Sequence, residues 1–259
     1  MPTPITDTMN GMTITPSIPE LDLASLLDRD PYLGEHQGEI KRRFGNFQDL
    51  LREMDSKEGG LENFALGHKT FGPQVGPNGT IHWLEWAPAA RSLHLIGEFN
   101  SWNRISHPFK QMDFGRWELV LPSIEGKAAI KHGQKVKVLV NGEDRISPWA
   151  SYVIQPPKEK QSSEGVAYCQ QFWNPPPQEK YVMKHPRPAK PASLRVYECH
   201  VGISSWEGKV NTYKDFTATV LPRIAKLGYN TVQLMAVMEH AYYGSFGYQV
   251  TSFFAPSSR

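Results

Sequence analysis

Two apolar runs of strand length lie in the last third of the chain, Ser193-Leu-Arg-Val-Tyr-Glu-Cys-His-Val-Gly202 and Asn230-Thr-Val-Gln-Leu-Met-Ala-Val-Met-Glu-His240. Between them, residues 213–227 place apolar side chains at the three- and four-residue steps of one helical face, namely Phe216, Val220, Ile224 and Leu227. Gly228 follows, where a helix C-terminus favours a residue that tolerates positive φ. The pattern predicts a strand, a crossover helix and a second, parallel strand.

Parallel sheets bind their ligands at the carboxyl ends of the strands. Residues 198–204 and 238–248 are therefore expected to line a site. They include groups suited to acid–base chemistry or to hydrogen bonding that supports the strand ends, namely Glu198, His200, Glu239 and His240.

The composition is that of a globular protein. Of 259 residues, 39% are hydrophobic and 21% charged, and the net charge is +2. These values match neither a chain that is disordered as a whole nor a strongly basic nucleic-acid binder. Two cysteines have neither the number nor the spacing of a disulfide framework or a zinc site. No targeting segment and no apolar run of about 20 residues is present, which predicts a cytoplasmic protein without membrane contact.

The residue composition and the spacing of apolar residues change four times along the chain, which divides it into five segments. Residues 1–19 are rich in Thr and Pro and are predicted to be disordered, and residues 20–66 follow helical spacing up to Gly59-Gly60. From residue 67 to 165 we predict an all-β sandwich, because short segments of period two alternate with turn residues. Its strands are expected at 81–87, 92–99, 116–121 and 135–140, after a glycine-rich loop. Residues 166–192 are a Pro-rich connector, and residues 193–259 hold the strand–helix–strand unit.

Tryptophans concentrate in the predicted sandwich, where they serve either as core or as flat platforms for sugar rings. Trp117 shares a strand face with Leu119 and Leu121, which predicts a core position. Trp83 and Trp86 are an odd number of positions apart, so one of them faces away from the core. Trp102 follows a strand among turn formers and is expected to be exposed.

Strand parity also separates Lys137 from its apolar neighbours. Val136, Val138 and Val140 share one face, which sends the Lys137 ammonium to the other. There it is either a solvated strand lysine or a donor to sugar hydroxyls.

Several segments resemble known families. Gly97-Glu-Phe-Asn-Ser-Trp-Asn103 resembles the signature of family 48 carbohydrate-binding modules, which bind α-1,4-glucans. Residues 20–259 as a whole resemble eukaryotic, particularly animal-type, glycogen branching enzymes. The segments that carry this resemblance are the same motif, residues 85–88, 113–118 and 145–150, and the two apolar runs. The resemblance implies a multi-domain protein. A helical segment and an immunoglobulin-like sandwich precede the incomplete start of a (β/α)8 barrel.

The resemblance also implies site residues. Trp102 and Lys137 correspond to the sugar-stacking tryptophan and the sugar-binding lysine of the module, and Tyr248 to an aromatic residue that stacks at the cleavage subsite. A glucan site between the helical segment and the module is implied at Lys57, Glu58, Trp86, Ala87, Pro88, Asp113, Phe114, Gly115 and Arg116. Glu198, His200, Glu239 and His240 resemble supporting residues rather than the catalytic pair.

Branching is a retaining glycosyl transfer by two carboxylates, which requires no cofactor and no metal. A complete barrel takes roughly 250 residues, whereas residues 194–259 supply only its first two strands. We therefore expect glycogen binding by this chain without catalysis, and a monomer for the full-length enzyme. A stand-alone glycogen-binding protein is the alternative. A debranching or other α-amylase-type hydrolase is disfavoured by the 235–240 and 243–248 runs.

Overall fold

The computed structural model describes residues 20–155 and 168–258. The predicted disordered segment at 1–19 and the predicted end of the sandwich at 165 lie outside these residues. The chain divides into two compact units between Gly67 and His68, and each unit is described by itself.

The first unit is helical. Its elements are α1 (Leu23–Arg29), a 3-10 turn (Pro31–His36), α2 (Gln37–Glu58) and α3 (Leu61–Ala65). The Asp22 carboxylate caps α1 by accepting a hydrogen bond from the Ser25 backbone N–H at 3.0 Å. As the Gly59-Gly60 pair predicts, α2 ends at Gly59, which adopts φ +72° and donates its N–H to the Met54 carbonyl.

The second unit begins with two antiparallel sheets, which confirm the predicted sandwich. The first has the order β1-β2-β5-β4, and its strands are β1 (Gly72–Val75), β2 (Ile81–Trp86), β4 (Lys110–Gln111) and β5 (Arg116–Leu121). The second has the order β3-β6-β9-β8 with β7 also on β6, and its strands are β3 (Leu93–Gly97), β6 (Lys135–Val140), β7 (Glu143–Arg145), β8 (Val153–Ile154) and β9 (Cys169–Gln171). The four predicted strands are thus present. β1 lies in the segment that was expected to be a loop, and β9 lies in the segment 166–192 that was expected to be a connector, because it pairs with β6 and β8.

The core lies between the two sheets. Trp83 is fully buried and Trp117 is 4% exposed, whereas Trp86 is 58% exposed, as strand parity predicts. Each buried indole keeps a hydrogen bond, from Trp83 Nε1 to Glu85 Oε1 at 2.7 Å and from Trp117 Nε1 to the Ala87 carbonyl at 3.0 Å. The aliphatic partners in this cluster include Ile81, Leu93, Leu95, Leu119, Leu121, Val136 and Val138.

The predicted strand–helix–strand unit is also present. β10 (Val196–His200) pairs in parallel with β11 (Thr231–Met235), and the helical crossover consists of α4 (Tyr213–Asp215), a π turn (Phe216–Val220) and α5 (Leu221–Lys226). Phe216 and Ile224 are buried against the strands. Gly228 adopts φ +87° as expected. Completion of a barrel from this unit stays a prediction.

Leu227 does not belong to the buried face of the crossover, because it is 71% exposed. The expectation was wrong because α5 ends at Lys226, so that Leu227 is the capping residue beyond the last helical position, whereas Ile224 inside the helix keeps its place on the buried face.

A column of aromatic rings connects the sandwich to the last strands, β12 (Met238–Glu239) and β13 (Ser252–Pro256). Trp149 stacks on Phe71 with ring centroids 4.8 Å apart, and on Phe254 with centroids 5.0 Å apart. His68 stacks on Phe254 at 5.9 Å. Trp149 therefore joins the sandwich to β13 and does not fill the core between the two sheets.

Candidate functional site

The Trp102 turn follows strand β3. After a 3-10 turn at Glu98–Asn100, Ser101 and Trp102 both adopt positive φ, 53° and 60°. The Trp102 backbone N–H donates to the Gly97 carbonyl at 2.8 Å, and the residue is 39% exposed, as predicted. Because positive φ costs a non-glycine residue about 1–2 kcal/mol, the surrounding structure must hold this conformation.

Two asparagine side chains hold the Trp102 turn. Asn100 Oδ1 accepts from the Gly97 N–H at 3.0 Å, and its Nδ2 donates to the Leu95 carbonyl at 3.1 Å. Asn103 Oδ1 accepts from the N–H groups of Ile105 and Ser106, at 3.0 and 3.1 Å. The exposed indole is therefore carried by a turn whose backbone is fixed on both sides.

Lys137 lies on the outer face of the second sheet. Of the two alternatives that the sequence left open, the solvated strand lysine does not describe it. Its side chain is only 13% exposed, and Nζ lies 3.6 Å from Asp144 Oδ2. Arg104, two residues after Trp102, contacts the same carboxylate at 2.9 Å and also donates to the Gly142 carbonyl at 2.8 Å. The structure thus brings the Trp102 turn and Lys137 together through Arg104 and Asp144.

Sequence reasoning missed Arg104 and Asp144. A usable signal existed, because Asn141-Gly142 is typical of a two-residue hairpin turn. Both residues adopt positive φ, and the hairpin sets Asp144 opposite Leu139, diagonal to Lys137 on the same sheet face.

A second exposed aromatic surface lies at one end of the first sheet, where the inner strand β2 ends and the inner strand β5 begins. Trp86 pairs with Arg116 in register, its Nε1 donates to the Phe114 carbonyl at 3.1 Å, and the Ala87 N–H donates to the Gly115 carbonyl at 2.9 Å. Trp86 is 58% and Phe114 69% exposed. The Arg116 guanidinium lies 5.6 Å from the centre of the Phe114 ring.

The turn that carries Phe114 requires a glycine. Gly115 adopts φ +72°, and a Cβ there would lie 2.6 Å from Pro88 Cα and Cβ. Phe114 itself has φ +61°, and Arg116 Nε donates to the Asp113 carbonyl at 3.3 Å. Seven of the predicted site residues therefore meet on one surface: Trp86, Ala87, Pro88, Asp113, Phe114, Gly115 and Arg116.

Lys57 and Glu58 belong to the first unit, at the end of α2. Both are exposed, and Lys57 forms an ion pair with Glu53 one helical turn earlier. Their participation in the surface around Trp86 stays a prediction.

A cleft of about 200 Å³ lies beside Trp86, with Glu85, Val138, Arg145 and Ser147 among its lining residues. Glu85 is 3% exposed and accepts the Trp83 indole N–H. Burial raises the pKa of this carboxyl from 4.5 to about 7, and hydrogen bonds from Ser147 and Trp83 oppose that rise. Sequence parity places Glu85 on the core face but does not reveal its partners.

At the carboxyl ends of the parallel strands, three of the four acid–base candidates are engaged in structural hydrogen bonds, namely His200, Glu239 and His240, whereas Glu198 is exposed. Glu239 is fully buried and accepts from the Tyr168 hydroxyl at 3.0 Å and from the Ser258 N–H at 2.6 Å. His200 Nε2 lies 3.0 Å from the Phe246 carbonyl. Tyr248 is 82% exposed, and its assignment to a cleavage subsite stays a prediction.

Within residues 20–155 and 168–258, no group of three or more His, Cys, Asp or Glu side chains is arranged to hold a metal ion. The helices in the described part of the chain are all too short or too polar to cross a membrane.

Comparison with known proteins relates the chain to carbohydrate-active enzymes. Residues 70–154 match the family model of carbohydrate-binding module 48 (isoamylase N-terminal domain). The chain is 47% identical over 244 residues to a 1,4-alpha-glucan-branching enzyme of Equus caballus, and 46% identical over 244 residues to that of Felis catus. In both cases the alignment covers 92% of this chain and 34% of the relative, so the chain spans about a third of the length of the curated relatives it matches.

A solved structure shares the fold. A putative alpha amylase from Salmonella typhimurium superimposes with a TM-score of 0.55 at 19% identity, over 73% of this chain and 28% of that one.

Proposed function

We propose that this chain, which carries a family 48 carbohydrate-binding module and is related over nearly its whole length to part of the 1,4-alpha-glucan-branching enzymes, binds α-1,4-glucan chains such as glycogen. The observation that carries the proposal is the pair of rigid, exposed aromatic surfaces within residues 70–154. One is the Trp102 surface, defined by Trp102 and Lys137. The other is the Trp86 surface, defined by residues 86–88 and 113–116.

The chemistry of the two surfaces suits a glucan. Sugar rings present C–H groups that pack on flat aromatic faces, and their hydroxyls bond to charged side chains at the rim. The Trp102 surface combines an indole with Lys137, and the Trp86 surface combines an indole and a phenyl ring with Arg116. Lys57 and Glu58, at the end of α2 in the first unit, are also proposed to contact glucan.

For the complete protein we propose glycogen branching in the cytoplasm, by a monomer without cofactor. In a retaining transfer one carboxylate attacks the anomeric carbon, a second carboxylic acid protonates the leaving oxygen, and a glucan 6-hydroxyl takes up the covalent intermediate. Tyr248 would stack on the sugar at the cleavage subsite. We assign no catalytic role to a carboxylate of this chain, and propose that the 259 residues bind glucan without transferring it.

Co-sedimentation with glycogen tests the binding proposal. Loss of one stacking aromatic should cost on the order of 1 kcal/mol or more, or about fivefold in affinity. We expect Trp102→Ala and Trp86→Ala each to weaken binding by at least that factor, and the double variant to remain in the supernatant.

Tyr181→Ala is the matched control, because Tyr181 is 77% exposed but lies in the Pro-rich connector. Its binding should equal that of the wild type. Wild-type affinity in the double variant would refute the assignment of glucan binding to these two surfaces.

The absence of transfer is tested separately. Amylose incubated with the 259-residue chain should keep its iodine absorption spectrum and gain no α-1,6 linkages. New α-1,6 linkages would contradict the proposal.

A further inference from the structure

Asp144 occupies a defined position beside the Trp102 turn. The hairpin between β6 and β7 turns at Asn141-Gly142 and returns Asp144 to the outer face of the sheet, diagonal to Lys137. Asn141 Oδ1 fixes the hairpin by accepting from the Arg91 and Ser92 N–H groups, at 2.7 and 3.2 Å. The carboxylate therefore projects from a rigid element.

Two cations flank this carboxylate from different elements. Arg104 Nη1 lies 2.9 Å from Oδ1, and Lys137 Nζ lies 3.6 Å from Oδ2. The Asp144 side chain is nevertheless 37% exposed. Because an ionised carboxylate offers about four acceptor positions, these contacts leave it able to accept further hydrogen bonds from the solvent side.

The Trp102 indole and this charged group lie within reach of one oligosaccharide. Arg104 follows Trp102 by two residues, so their Cα atoms are at most about 7 Å apart, and the Arg104 guanidinium contacts Asp144 directly. A sugar stacked on Trp102 thus has a negative acceptor and two positive donors beside it.

We propose that Asp144 is a sugar-binding residue of the Trp102 surface, where its carboxylate accepts a hydrogen bond from one hydroxyl of a glucose 2,3-diol while Lys137 donates to the other. The inference rests on the proposed glucan binding and adds a residue that selects for unmodified secondary hydroxyls. Hydrogen bonds to a charged group are stronger than neutral ones, so this contact should matter for affinity.

The test uses calorimetry on the full 259-residue chain with two ligands, β-cyclodextrin and its 2,3-di-O-methyl derivative, in which the hydroxyl donors are blocked. Asp144→Asn keeps the shape of the side chain and removes its charge. Glu143→Gln is the matched control, because Glu143 is the exposed neighbour in the same hairpin and pairs with Arg145 instead.

The wild type should bind β-cyclodextrin about tenfold more tightly than the methylated ligand. Asp144→Asn should bind β-cyclodextrin about tenfold more weakly than the wild type and should lose most of the discrimination between the ligands. Glu143→Gln should behave as the wild type.

If Asp144 merely positions Lys137 and Arg104, Asp144→Asn will lower the affinity for both ligands by the same factor, and the inference is overturned. Unchanged affinity in Asp144→Asn overturns it as well, while leaving glucan binding intact. Absence of β-cyclodextrin and glycogen binding by the wild type would instead overturn the proposed function together with this inference.

Discussion

Glu85 makes the stability of the sandwich depend on pH, and Glu85→Gln should remove that dependence. The carboxyl is 3% exposed, and burial raises its pKa to about 7 in the folded chain, against 4.5 for an ordinary glutamate. The folded state therefore binds the proton more tightly than the unfolded state. The contribution of Glu85 to the free energy of unfolding is therefore most favourable below pH 4.5. It falls as the pH rises from 4.5 to 7 and is constant above pH 7.

The size of the effect follows from the separation between these two pKa values. Each pKa unit corresponds to about 1.4 kcal/mol, so ionised Glu85 lowers the free energy of unfolding by roughly 3 kcal/mol above pH 7. Glutamine has the same shape, can still accept the Trp83 indole N–H and never ionises. We expect Glu85→Gln to be close to the wild type at pH 5 and more stable than it at pH 8.

Urea unfolding at pH 5, 6, 7 and 8, followed by tryptophan fluorescence, measures the difference. Glu125→Gln, at an exposed turn position, serves as the control and should give the wild-type pH profile. In addition, the Trp83 indole N–H resonance should titrate with a midpoint near pH 7, because this group donates to Glu85 at 2.7 Å. Parallel stability profiles for the wild type and Glu85→Gln, with no inflection in the Trp83 resonance, would refute the reasoning.

Two further substitutions test the elements that position the sites. Gly115→Ala strains a φ of +72° and sets its Cβ 2.6 Å from Pro88, whereas Gly133→Ala strains a similar φ of +81° in open space. Gly115→Ala should therefore lower the melting temperature more than Gly133→Ala and weaken glycogen binding, and equal losses would contradict the steric argument. Phe254→Leu removes a ring stacked 5.0 Å from Trp149, a contact of about 0.5–1.5 kcal/mol. Hydrogen exchange of the backbone amides of residues 252–255 should become faster, and unchanged exchange would show that the ring column does not hold β13.

Much of the sandwich was predictable because strand parity is a local property. The alternation around Trp117 and around Trp83 and Trp86 decides which side chain meets the core, and the observed burial follows it. The exposed Trp102 was predictable for a related reason, since turn formers surround it.

Other features depend on distant partners. β1 begins Gly-Pro and has little intrinsic strand preference, and it is extended because Gly72–Val75 pairs with β2. The ion pair of Lys137 depends on the register of the β6–β7 hairpin and on Arg104, 33 positions earlier in the chain. Leu227 was assigned to the buried face because helical spacing does not reveal the residue at which a helix ends, and α5 ends one residue earlier, at Lys226.

The central claim, that the two exposed aromatic surfaces bind α-1,4-glucan, is tested most directly by titrating the isotope-labelled chain with maltoheptaose and following the indole N–H resonances. The resonances of Trp86 and Trp102, which are 58% and 39% exposed, should shift in proportion to saturation. Those of the buried Trp83 and Trp117 should stay in place. Unchanged resonances for both exposed tryptophans at saturating maltoheptaose would contradict the account.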